Sequence, residues 1–232
     1  MEKQFYVSKT LVYKENIQVV DYGVYKDYIL LKSKREKGFE ELEEKKKEKT
    51  EQKEIQRIEQ SRAKRIIKEL ALCNPFEFFY TQTLKQNRYD LDNFIKEIQK
   101  MFKAYKRKNK NFIYLIIYEK HEDGAYHLHG LVGGLGLDVY TNDNGYLSLA
   151  DLEVLGFNSL KRLGTTAEDK AKVANYITKY ITKDFLKTLK GSTYFRSNGL
   201  KTAKRTVIDD IDFTKLDLKY ENDFVKIFKE KQ

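Results

Sequence analysis

Between Asn111 and Val132 the chain leaves its backbone few choices. Phe112 to Ile117 is a β-branched and aromatic run, Ala125 to Val132 is a second strand-like run, and Asp123-Gly124 separates them. That pattern reads as a β-hairpin. A three-residue loop of Glu122, Asp123 and Gly124 closes it, with Gly124 supplying the positive φ that ends such a loop. Residue 121 then pairs with 125, 119 with 127 and 117 with 129. Cross-strand partners share a face, so Glu119 lies opposite His127, Cβ atoms roughly 5 Å apart, beside His129. His121, His127 and His129 are the only histidines in the chain.

Two imidazoles and a carboxylate on one face form a mixed N/O donor set. Such a set suits Mn²⁺, Zn²⁺ or a similar divalent ion better than Ca²⁺, and three protein ligands leave positions for substrate. Glu119, His127 and His129 are therefore the expected metal ligands. His121 falls on the same face as a fourth ligand or a phosphate contact. An isolated His-x-His on a strand is more often a pair of surface or half-buried histidines. The carboxylate in register and the lack of histidine elsewhere favour the metal.

A second pattern lies in Val173 to Asp184, where the tetrad Tyr-Ile-Thr-Lys occurs twice in tandem. With Thr165 or Thr166 as N-cap, it reads as a helix over 167–189 despite its β-branched residues. At ~100° per residue, Tyr176, Lys179, Tyr180 and Lys183 occupy one narrow sector, and Ala174, Ile177, Ile181 and Phe185 another. The second sector can pack on a sheet. Taken alone, the first is the solvated edge of an amphipathic helix. Beside a metal site it becomes chemical, because a tyrosine hydroxyl attacks a phosphodiester only when a neighbouring cation or an activated electrophile helps it.

In this combination the chain resembles the HUH endonucleases, and among them the rolling-circle replication initiators of single-stranded DNA phages and small plasmids. Phe78-Phe-Tyr-Thr81-Gln-Thr83-Leu84 resembles the first motif, a strand facing DNA, although Gln82 stands where the family has an apolar residue. His127-Leu-His129 resembles the motif that names the superfamily, with Glu119 where many initiators have a third ligand. Tyr176 to Lys183 resembles the third, Tyr-x-x-Lys, doubled as in gene A type phage initiators. The likeness runs from about Phe76 to Asp184.

The resemblance implies an α+β fold with an antiparallel sheet of RRM-like or ferredoxin-like type, here with added N-terminal strands and a long charged helix. It also implies nicking and rejoining of origin single-stranded DNA through a 5′-phosphotyrosine intermediate. Tyr176 acts first and Tyr180 second, Lys179 and Lys183 steady phosphate charge, and Mn²⁺ or Mg²⁺ is the cofactor ahead of Zn²⁺. A relaxase or a tyrosine transposase uses the same chemistry. An inert RRM-like nucleic-acid binder is the alternative of another class.

Composition is compatible with a nucleic-acid partner. The 232 residues carry a net charge of +10, and a basic surface is what tracking phosphates requires. Lys103, Lys106 and Arg107, with Thr81 and Thr83, are the expected DNA contacts. No Gly-x-x-x-x-Gly-Lys-[Ser/Thr] motif occurs, so a host helicase and polymerase are expected partners. The single cysteine, Cys73, excludes an intrachain disulfide. No apolar run spans a membrane, and a cytoplasmic location is expected.

Along the chain, residues 1–32 read as strands (10–13, 17–20 and 25–31), and 33–72 as a charged, largely exposed helix. Residues 73–190 form the core, with a strand over 76–84, a helix from 90 or 91 to 106, the hairpin, a short helix near 148–153 and the Tyr/Lys helix. Residues 191–232 form an extension packing on the core, with strands at 193–196 and 202–208 and a helix at 222–229.

Overall fold

The computed structural model describes residues 17–31, 44–136, 139–181, 194–208, 211–222 and 225–231. The expected strand at 10–13, the start of the charged helix at 33–43, Lys183 and the tail of the Tyr/Lys helix to 189 lie outside them. The fold is α+β, with two antiparallel sheets of five and seven strands and four α-helices among the described residues. The chain divides into two compact units, Met1–Lys47 with Thr202–Gln232, and Glu48–Lys201.

The first unit holds β1 (Ile17–Asp21), β2 (Lys26–Leu31), β10 (Lys204–Ile208), β11 (Leu216–Glu221) and β12 (Val225–Glu230), in the order β10-β1-β2-β12-β11. Residues 222–229 were expected to be helical and are not. Val225 pairs with Leu31 and Phe228 with Tyr28. A short run such as Val225-Lys-Ile227-Phe228 carries helical and strand periodicities at once, and the open edge of β2 decides for the strand.

The second unit is built on the order β6-β7-β8-β3-β5-β4-β9. These strands are β3 (Phe78–Thr83), β4 (Ile113–Lys120), β5 (Tyr126–Gly133), β6 (Val139–Thr141), β7 (Leu147–Leu149), β8 (Asn158–Arg162) and β9 (Tyr194–Arg196). The helices are α1 (Glu44–Cys73), α2 (Leu91–Lys108), α3 (Ala150–Glu153) and α4 (Ala167–Ile177), the last followed by a 3₁₀ turn, Thr178–Tyr180. The hairpin has the expected register, Glu119 opposite His127 and Ile117 opposite His129, with Gly124 at φ 87°.

The expected extension 191–232 divides, since Tyr194–Arg196 joins this sheet beside β4 while 204–230 supplies strands of the other. Strands β6, β7 and β8, which no alternation in the sequence announces, widen the sheet on the far side of β3.

Strand parity assigns each residue a face. Even-numbered residues such as Phe78, Tyr80, Ile116, Tyr118, Leu128 and Val132 form one core with Phe94, Ile98, Phe102 and Tyr105 of α2. Gln82 is fully buried on that face, where its carbonyl accepts from the Tyr80 hydroxyl and its amide donates to the Phe157 carbonyl at 3.2 Å. Satisfied in this way, a polar side chain sits in the middle of the sheet without an unpaired group.

α1 departs from the expected exposed helix. Its last third turns inward, with Ala63, Ile67, Leu70, Ala71 and Leu72 buried.

Candidate functional site

The odd-numbered residues make the opposite face of the sheet. Register aligns them in rows: Thr83, His127 and Glu119; Ser159, Thr81, His129 and Ile117; Lys161, Phe79, Leu131 and Leu115. Glycine is required beside the histidines at Gly130, because a Cβ there would stand 2.7 Å from the Leu115 carbonyl oxygen across the strand.

Glu119 is the pivot of the cluster. Its Oε2 lies 3.0 Å from His129 Nε2 and 3.8 Å from His121 Nε2. The donor atoms of Glu119, His121 and His129 all lie within 4.8 Å of one another. Ligands about 2.0–2.2 Å from a shared ion stand roughly 3–3.5 Å apart, so this set fits a divalent cation. His127, expected as a ligand, stacks its ring on His121 with centroids 3.7 Å apart and turns Nδ1 to Thr83 Oγ1 at 2.9 Å. His121, the secondary candidate in sequence, thus joins the carboxylate cluster alongside His129.

Burial, reinforced by the neighbouring His127 and His121, pushes the His129 imidazole down to about 4. His127 is lowered too, first by burial, then by His121, with Arg88 adding to the effect and Asp123 opposing it. Both rings are therefore neutral near pH 7, the form that ligates metals. Thr81 Oγ1 reaches His129 Nδ1 at 3.5 Å. The two threonines of the first motif stand behind the imidazoles, where they orient the rings.

The tandem tyrosines reach this face. α4 starts at a complete capping box, the Thr166 side chain accepting from the Asp169 backbone while the Asp169 carboxylate accepts from Thr166. The α-helix stops at Ile177 instead of running to 189, and Thr178 donates its hydroxyl back to the Asn175 carbonyl at 2.7 Å. Such back-bonding by a β-branched residue bends or ends helices.

Beyond that point the 3₁₀ turn carries Tyr180 onto the histidines. Its ring stacks on His129 with centroids 4.1 Å apart and planes at 17°, and its hydroxyl donates to the Tyr176 oxygen at 2.9 Å. Burial, the Tyr176 hydrogen bond and the Glu119 charge push the Tyr180 hydroxyl well above the usual tyrosine value. Lys179 Nζ stands 5.4 Å from the centroid of the Tyr176 ring.

The structure does not bring the expected lysine contacts here. Lys103, Lys106 and Arg107 belong to α2, which packs on the even-numbered face. Lys106 Nζ is moreover engaged by the carbonyls of Lys110 and Phe112. Their spacing placed them on the outer side of an amphipathic helix, but only tertiary structure decides which sheet face that helix covers.

Sequence reasoning missed Phe79. Its ring lies edge-on to Tyr176 at 5.4 Å and within 6.4 Å of Tyr180 and 6.0 Å of His129. The alternation Phe79, Thr81, Thr83 carried the signal. Lys161 was missed because β8 itself was.

Among the described residues no helix is long and apolar enough to cross a membrane. Comparison with the curated proteins and with the solved structures returned no match. Residues 77–185, a little under half of the chain, match the sequence model of a family described as replication-associated protein of the ORF2 and gene 2 protein type. The matched span holds the threonine strand, the histidine hairpin and both tyrosines. Over these residues the chain is similar to that family, and the likeness supports a Rep-like protein of replication initiation.

Proposed function

We propose that the protein nicks and rejoins single-stranded DNA at a replication origin through a 5′-phosphotyrosine intermediate, as an HUH-type initiator of rolling-circle replication. The observation that carries this reading is the stacking of Tyr180 on His129 while its hydroxyl contacts Tyr176. Two candidate nucleophiles and the donor cluster thereby share one patch of the sheet.

A Mn²⁺ or Mg²⁺ ion held by Glu119, His129 and His121 or His127 would supply Lewis-acid neutralisation of the non-bridging phosphate oxygens. The protein's own groups do the rest. The Tyr176 oxygen attacks phosphorus, the bond from phosphorus to the 3′ oxygen breaks, and the phenolic proton is in net terms passed to that oxygen as the 3′-hydroxyl leaves.

Tyr180, held protonated by its surroundings, donates to the Tyr176 oxygen and so stabilises the charge that develops there. Phe79 fixes the ring of Tyr176 edge-on, and Lys179 adds positive charge beside it. Attack of a 3′-hydroxyl on the adduct, or transfer to Tyr180, reverses the bond exchange and rejoins the strand. The freed 3′ end is the primer for a host polymerase, with a host helicase opening the duplex.

Incubation of labelled single-stranded origin DNA with Mn²⁺ tests the proposal. A covalent band of protein and DNA is expected for the wild type, absent in Tyr176→Phe and in the double change with Tyr180→Phe. A band that survives the double change overturns the tyrosine mechanism. No band with the wild type on any strand of the cognate replicon, with tight binding retained, favours the inert nucleic-acid binder.

A further inference from the structure

Beside Tyr176 runs a groove of about 1000 Å³ between β8, α4 and the β6–β7 turn. We infer that this groove seats the single-stranded DNA flanking the scissile phosphate, with Tyr146 as a base-stacking platform and Lys161 and Lys172 as phosphate contacts. The inference rests on the reading of this face as a single-strand nicking site.

Continuity is the first support. Phe79 and Tyr176 form one end of the groove wall, and Ser159 and Lys161 of β8 continue it away from the histidines. A strand with its scissile phosphate at Tyr176 therefore enters the groove with its next nucleotides.

Chemistry is the second. Lys161 is exposed on the same face as Phe79. Lys172 projects from α4 with its Nζ 2.8 Å from Glu168, a pair open to solvent that a phosphate can replace. The acidic lining residue, Asp169, has its carboxylate engaged by the Thr166 hydroxyl and backbone, which leaves the wall basic in balance.

The third support is an exposed aromatic that is held rigidly. The Tyr146 ring is 53% exposed, yet its N–H donates to the Asn142 side chain and its carbonyl accepts from the Asn142 N–H. Phe157, also exposed, meets it edge-on with centroids 5.7 Å apart. A ring fixed in water with a free π-face is preorganised for stacking on an unpaired base, an interaction that tolerates any base.

The test is fluorescence anisotropy with a labelled oligothymidylate of about twelve nucleotides, in EDTA so that no nicking occurs. Tyr146→Ala is expected to weaken binding about 5- to 100-fold, and Tyr146→Phe to restore it. Lys161→Gln is expected to lower the slope of log affinity against log salt by roughly 0.7. Wild-type affinity and slope in the alanine and glutamine variants overturn the inference, as does failure of phenylalanine to restore binding.

An equal loss on a blunt duplex also overturns it, because stacked bases cannot reach Tyr146. Since no covalent product is read, the two proposals fail separately. An absent adduct leaves these affinities standing, and unchanged affinities leave the adduct standing.

Discussion

Glu119 acquires its meaning from a single register. One residue of slippage in the hairpin would send its carboxylate, His127 and His129 to the core, and Gly124 in αL prevents that slip. This part of the site was legible in sequence, because turn chemistry and alternation are local. Which histidines crowd the carboxylate was not, since His121 lies just beyond β4 and its ring direction depends on stacking against His127. Two substitutions weigh the ring-orienting contacts. Thr83→Val removes the hydroxyl that holds His127 Nδ1 and is expected to weaken Mn²⁺ binding about tenfold by titration calorimetry. Glu119→Gln, which removes the charge at the centre of the cluster, is expected to abolish measurable binding.

Helices and strands were legible to different degrees, for a physical reason. α2 was expected almost to the residue, because Phe94, Ile98, Phe102 and Tyr105 repeat at helical spacing and Asp90 caps it. β8 and β12 were not, since their apolar runs are short and acquire strand geometry only by pairing with β3 and β2. The Tyr/Lys helix lies between these cases. Its start follows from Thr166, while its end follows from a Thr178 hydroxyl bond that periodicity does not encode. Thr166→Ala removes the side-chain half of the capping box and is expected to cost about 1 kcal/mol, a fall of roughly 2–4 °C in Tm by calorimetry. Gly130→Ala, which forces β5 away from the Leu115 carbonyl, is expected to cost about 1–3 kcal/mol in a denaturant titration.

At the level of the whole molecule, tyrosine burial sets an alkaline limit. Burial pushes Tyr118 up to about 12 and raises Tyr80, Tyr114 and Tyr126 as well. A hydrogen bond to Glu230 is the main cause that takes Tyr28 to about 12. Each group is protonated in the fold at a pH where the unfolded chain would release its proton near 10. The stability this contributes is complete below pH 10 and is lost as pH rises towards 12. Absorbance at 295 nm is expected to show one set of phenols titrating near 10 and a second that ionises only with unfolding. Simple titration of all tyrosines near 10, with the fold intact, contradicts the burial described.

The antiparallel partnership of β2 with β12 joins Leu31 to Val225. At a synthesis rate of roughly 5–20 residues per second, the earlier strand leaves the ribosome about 10–40 s before its neighbour exists. Throughout that interval β1 and β2 amount to a two-stranded ribbon, which is marginal in water. The seven-stranded sheet, whose pairings all close within residues 78–196, can mature first. Nascent chains halted before Lys204 should therefore own a finished histidine-bearing body while their opening strands still wait for a mate.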